Sequence, residues 1–303
     1  MSPPLDYEAT PAESIELGEL ACWRIRHAGA ELIVARQGAQ LLSYRREGEP
    51  PLLWLSEEAA YLRGGSVRGG MPICWPWFGD LQRNPPSVRA MAAGAAPFHG
   101  LARVLDWQLD AVERSAAGVR AGFRLAIGQG LPGWPHRVEP YLELLLGDGL
   151  HITLRNRNLG REPVALSQAL HTYFAVSDIR AVSVEGLQGC RYLDTIDDWQ
   201  QRHQLGALRF SGETDRIFLD VPPRIALHDA GWRRAIALQA DGSRSAIVWN
   251  PWADKARRLS QCADDAWQRM LCIETANVLD DSLLLAPGEE RTLCLRLVSA
   301  PLG

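Results

Sequence analysis

The 303-residue sequence holds a single lysine, Lys255, so 31 of its 32 basic residues are arginine. That scarcity excludes whole reaction classes. A Schiff-base or pyridoxal lysine, a Walker-type phosphate lysine and a kinase strand lysine would each have to be Lys255. Its setting, Asp254-Lys255-Ala256-Arg257-Arg258, matches none of those motifs. A basic surplus is missing too. With 36 acids against 32 bases the net charge is −4, which argues against a nucleic-acid partner held through its phosphates. No apolar run approaches the roughly 20 residues of a membrane span, so no membrane partner is expected. The start, Met1-Ser2-Pro3-Pro4-Leu5-Asp6-Tyr7-Glu8, has neither the basic nor the apolar region of a secretion signal. The six cysteines (Cys22, Cys74, Cys190, Cys262, Cys272 and Cys294) are scattered without a C-x-x-C pair. They predict reduced thiols, a cytoplasmic location and no metal site. No G-x-G-x-x-G opens a helix, so a dinucleotide is not expected, and no other cofactor is called for.

What the sequence does have is many short strand-like runs. Residues 22–26, 31–35 and 40–44 are separated by Ala28-Gly29 and Gln37-Gly38, and similar runs recur at 122–127, 141–146 and 151–157. His151-Ile152-Thr153-Leu154-Arg155-Asn156-Arg157 alternates apolar and polar residues, the period of a half-buried strand. Gly147-Asp148-Gly149 predicts a hairpin, and Asp241-Gly242-Ser243, between runs 234–238 and 245–249, reads the same way. Helical periodicity over a dozen residues is absent. The prediction is an all-β, mainly antiparallel sandwich or barrel, one domain over residues 18–303 behind a partly ordered tail at 1–17.

Four segments are richer in polar groups than a plain β core needs. In Arg68-Gly69-Gly70-Met71-Pro72-Ile73-Cys74-Trp75-Pro76-Trp77-Phe78-Gly79-Asp80 the glycines admit a close ligand and the tryptophans offer flat faces to a sugar. A rigid aromatic corner has the same composition. Pro97-Phe98-His99-Gly100-Leu101-Ala102-Arg103 presents an imidazole at a turn, and Arg68 and Arg103 offer planar forks for phosphate or carboxylate, or ordinary surface salt bridges. His171, among Leu170, Tyr173 and Phe174, suits a proton donor near neutral pH. Glu274 interrupts the apolar run Met270-Leu271-Cys272-Ile273, as a desolvated base or a buried salt-bridge partner would.

Taken in order, these segments resemble the hexose-6-phosphate branch of the aldose 1-epimerase family. The resemblance rests on Arg68 to Gly79, His99-Gly100-Leu101-Ala102-Arg103, Leu170-His171-Thr172-Tyr173-Phe174, Trp249-Asn250-Pro251 and Cys272-Ile273-Glu274-Thr275-Ala276, across roughly residues 20–298. It implies a galactose-mutarotase-like β-sandwich, or supersandwich, commonly monomeric. It implies His171 as general acid and Glu274 as general base in the interconversion of sugar anomers. It further implies Arg68 and Arg103 as holders of the substrate's phosphate and His99 and Asp194 as sugar contacts; the composition of the first segment adds Trp75 as a flat face for the sugar. Three departures stand out: Leu101 for the usual Phe, Phe98 where some members carry a substrate-contacting Gln, and Trp252 where many carry Gly, a change expected to reshape the rim. The competing readings are an epimerase of unphosphorylated sugars, a non-catalytic sugar-binding protein, and a glycoside hydrolase using Asp194 with Glu274.

Overall fold

Strict alternation decides the architecture. Strands Val138–Leu146 and Leu150–Asn158 bury every second residue along their length, so each presents one apolar face to a core and one to its surroundings. The Gly147–Gly149 turn joins them as the sequence predicts, with Leu146 opposite Leu150. The computed structural model describes residues 11–302.

Two eight-stranded antiparallel sheets dominate. The first runs Val182–Glu185, Arg224–Asp229, Arg234–Asp241, Glu290–Pro301, Leu150–Asn158, Val138–Leu146, Gly118–Leu125, Trp107–Ser115. The second, which carries the site, runs Gln200–His203, Arg191–Asp194, Thr214–Leu219, Ser245–Asn250, Met270–Asn277, Gln168–Leu170, Ile73–Cys74, with Tyr173–Ala175 also pairing Met270–Asn277. A four-stranded sheet spans Ala12–Leu17 to Leu41–Arg46, and Val164–Leu166 pairs Leu283–Leu285. Every strand pair is antiparallel, and among the described residues the longest helix, Trp252–Ala256, has five residues. The main apolar cluster, from Ile25 to Leu297, fills most of the interior, with smaller clusters around Tyr173, Ile247 and Leu20.

Two expectations need correction. Residues 12–17, assigned to a loose tail, form an edge strand paired with Leu20–His27; residues 1–10 lie outside the described residues. The turn at Asp241–Ser243 does not close a hairpin. Arg234–Asp241 pairs with Glu290–Pro301 in one sheet, whereas Ser245–Asn250 pairs with Met270–Asn277 in the other. Gly242 makes that crossing with φ +73, and a Cβ there would meet the Thr292 carbonyl oxygen at 2.0 Å. Turn composition alone does not say which sheet the chain enters next.

The site loops are pinned to the sheet by backbone contacts. Trp75 bridges Gly100 in parallel, and the Trp75 carbonyl accepts from the amides of Leu101 (2.7 Å) and Ala102 (3.1 Å). Gly100 has φ +76, and a Cβ on it would lie 2.2 Å from that same carbonyl oxygen. Gly100→Ala is therefore expected to cost about 3 kcal/mol or more of folding stability, read as a lowered urea midpoint. An unchanged midpoint would refute this anchoring role.

Candidate active site

Cross-strand register brings the two central residues together. Leu170 pairs with Thr275 and Tyr173 pairs with Cys272. The intervening His171 therefore faces Glu274 across the strand gap. The His171 backbone is held by its amide donating to the Pro72 carbonyl at 3.0 Å. His171 Nε2 lies 3.5 Å from Glu274 Oε1, with only 8% and 2% of the two side chains exposed. Glu274 sits in a strand whose eight residues are all buried.

Further pairing extends the site along the same face of the sheet. Glu274 lies opposite Ile247 and Ile247 opposite Ile217, while one step along Trp249 lies opposite Asp215. All five, with His171, line a cavity of about 610 Å³ whose other walls include Arg68, Arg83, His99, Arg103, Trp199 and Lys255. A second cavity, of about 570 Å³, opens among hairpin turns near Arg26, Glu31 and Arg45. There both arginines pair with Glu31, and no buried acid–base pair is present.

Aromatic rings fix the imidazoles. His171 stacks on Tyr173 with centroids 4.8 Å apart at 6°, and His99 meets it edge-on at 5.1 Å. The Gly79 amide donates to His99 Nδ1 at 3.1 Å, so in the neutral ring Nε2 carries the proton and His99 is a hydrogen-bond donor. His99 stays neutral because burial, then His171, Arg103 and Arg68, hold its pKa well below the usual 6.5.

Burial also drives the central pair to its uncharged forms. His171 is pushed down to about 3, first by desolvation and then by the positive charges of Arg103 and Arg68. Glu274 is held well above the ordinary carboxylate range by desolvation and by the negative charge of Asp215, with Arg103 pulling the other way. Both shifts favour the same distribution, a protonated carboxyl beside a neutral imidazole. His171 Nδ1, Glu274 Oε2 and Arg103 Nε are buried without a hydrogen-bond partner among the described residues. Buried polar atoms left unpaired are costly, and their convergence in a cavity marks where a polar ligand fits.

Comparisons with known proteins identify the family and the fold. The sequence profile of the aldose 1-epimerase family matches residues 21–297. The chain belongs to that family. Among its relatives, the Escherichia coli K12 protein provisionally named glucose-6-phosphate 1-epimerase is 32% identical over 263 residues, 86% of this chain and 84% of that one. One from Cenchrus ciliaris with the same provisional name is 33% identical over 264 residues, covering 84% and 76%. The crystal structure of a Salmonella typhimurium protein provisionally described as a mutarotase superposes with a TM-score of 0.86 at 29% identity, covering 99% and 97%. A galactose mutarotase-like protein from Clostridium acetobutylicum shares the fold at 13% identity, TM-score 0.75, covering 96% and 98%.

Within this family member, five of the seven expected site residues meet in one cavity: Arg68, His99, Arg103, His171 and Glu274. Two do not. Trp75 has no exposed surface; its Nε1 donates to Asn156 Oδ1 at 2.8 Å and its ring packs edge-on against Trp134, so it is a core residue with no face for a sugar. Asp194 lies opposite Arg216, its carboxylate 3.6 Å from the guanidinium, and does not line the cavity. Strand parity explains the error, because the next pair along, Thr195 and Asp215, is the one that lines it. Trp252 is also away from the cavity, its ring 4.3 Å from that of Trp267 at 41°, with φ +53, a backbone conformation that suits glycine. Phe98, in contrast, stands 65% exposed at the mouth beside His99.

Sequence reading missed Asp215. It signals itself only as an acid on the inward parity of a strand that continues Ile217, Leu219. Lys255 Nζ lies 2.9 Å from Glu213 and 4.0 Å from Asp215, placing the chain's one lysine on the cavity wall. Since the Asp215 charge raises the Glu274 pKa, Asp215→Asn lowers it. The single-proton pair then loses its proton at lower pH, so the alkaline limb of a kcat/KM profile is expected to move down. A limb that stays in place would refute the coupling.

Proposed function

We propose that this chain interconverts the α and β anomers of hexose 6-phosphates, glucose 6-phosphate foremost, by acid–base ring opening and reclosure. The observation that carries this reading is His171 facing Glu274 at 3.5 Å in a cavity where Arg68 and Arg103 have no carboxylate partner among the described residues. Arginine forks without an internal anion suit a phosphate. The provisional names of the relatives point to the same substrate. All six cysteines are unpaired, which fits a reducing cytoplasm.

In the reactive form the shared proton sits on His171 and Glu274 is a carboxylate. Glu274 takes the proton of the C1 hydroxyl, the O–H electrons form the C1=O bond, and the C1–O5 pair leaves to the ring oxygen, which takes the proton from His171. The aldehyde then turns about C1–C2, and closure on its other face runs the same transfers backwards. In this reading His99, an Nε2–H donor, holds a substrate oxygen, and Asp215 a hydroxyl.

The pKa directions favour this opening step. A raised pKa makes the Glu274 carboxylate a stronger base, and a depressed one makes the His171 imidazolium a stronger acid. Opening leaves a neutral imidazole and a protonated carboxyl, the distribution that burial favours. Each group is expected to supply about 10²–10⁴-fold.

The test follows anomer exchange of glucose 6-phosphate by NMR with glucose in parallel, spontaneous exchange subtracted. Wild type is expected to favour the phosphate, and His171→Asn to lose about 10²-fold or more while still binding sugar. A mutant at the wild-type rate would refute the acid role. Exchange of glucose alone would refute phosphate recognition.

A further inference from the structure

Beyond Arg68 and Arg103, a third guanidinium lines the cavity. Arg83 ends the 3-10 turn Leu81–Arg83, whose base is rigid. Asp80 caps it by accepting from the Gln82 amide at 2.9 Å, Leu81 is buried, and the Asn84 side chain donates to the carbonyls of Phe78 (2.8 Å) and Asp80 (2.9 Å). The Arg83 guanidinium lies 5.2 Å from the centre of the Trp199 ring, with no carboxylate within 4.0 Å among the described residues. Its donors are therefore available to a ligand, while the indole face holds the group in place.

Trp199 reaches that position at a conformational cost. The Gln200 amide donates to the Asp197 carbonyl at 3.0 Å, closing a two-residue turn at Asp198 and Trp199. Their φ values are +47 and +60. Such primed turns take Asn-Gly, because both central residues need positive φ, and a bulky side chain there is an outlier costing about 1–3 kcal/mol. Here that position carries an indole that lines the cavity and seats an unpaired arginine.

We propose that Arg83, seated on Trp199, is a specificity-determining contact for the phosphate of the substrate, adding a third guanidinium to the cavity that Arg68 and Arg103 line. The proposal rests on the phosphorylated-sugar reading above and adds two residues to it. Arg83 works as a recruiting charge, whereas Arg103 and Arg68 are the guanidiniums that also lower the His171 pKa.

The experiment measures anomer exchange of glucose 6-phosphate and of glucose by wild type, Arg83→Ala and Trp199→Gly, with Arg89→Ala as a control at an exposed arginine off the cavity. Arg83→Ala is expected to raise KM for glucose 6-phosphate about tenfold with kcat within about twofold, as for loss of one charge-assisted contact that binds substrate and transition state alike. Inhibition by inorganic phosphate should weaken by the same factor. Trp199→Gly should raise the same KM while its urea midpoint holds or increases, which a merely structural tryptophan would not do. A KM within twofold of wild type in Arg83→Ala, or phosphate inhibition unchanged, would overturn the proposal. Wild type that exchanges glucose and is indifferent to both phosphates would instead overturn the phosphorylated-sugar reading on which it rests.

Discussion

An imidazole and a carboxyl buried face to face, with one proton for the two of them, is the constraint around which this site is organised. Either group alone would be expelled or neutralised by the desolvation it suffers. Set 3.5 Å apart, His171 and Glu274 are close enough to share one proton, and burial favours the carboxyl as its resting place. The penalty that favours the uncharged pair is, on the proposed mechanism, the same term that favours ring opening, because opening would discharge the ion pair. Arg103 and Asp215 adjust that balance from opposite sides, one lowering and the other raising the Glu274 pKa.

Such a pair needs a frame that does not yield. Antiparallel register supplies it, since Leu170 against Thr275 and Tyr173 against Cys272 leave His171 one place to point. The loop bearing His99 and Arg103 is tied down by backbone bonds to the Trp75 carbonyl, and Gly100 permits an approach to Trp75 that any Cβ would block. Stability and function meet at that point: the tryptophan expected to stack on a sugar instead holds up the loop that carries the histidine.

How much of this was legible in the sequence follows from the range of the interactions involved. Alternation and turn composition are local, and they predict an all-β antiparallel fold and the Gly147–Gly149 hairpin. The motifs around Arg68, His99, Arg103, His171 and Glu274 are local as well, and all five residues meet in the cavity. Asp194 failed by one step of parity, which a strand reading with an error of one residue cannot resolve. Asp215 and Arg83 were invisible because nothing beside them in the chain marks them; pairing with Trp249 places the first, and a turn across the cavity places the second. Asp241–Ser243 looks like a hairpin because composition encodes a turn without encoding which sheet receives the next strand.

The central claim is that the empty pair holds one proton, on Glu274. Difference infrared spectroscopy at neutral pH, comparing wild type with Glu274→Gln, reads this directly through the carbonyl stretch of a protonated carboxylic acid. The account predicts such a band in wild type, lost in the variant and replaced by a carboxylate band when the pair is titrated with base. A carboxylate signature at neutral pH beside an unprotonated His171 would contradict it, because the pair would then have no proton to give the ring oxygen.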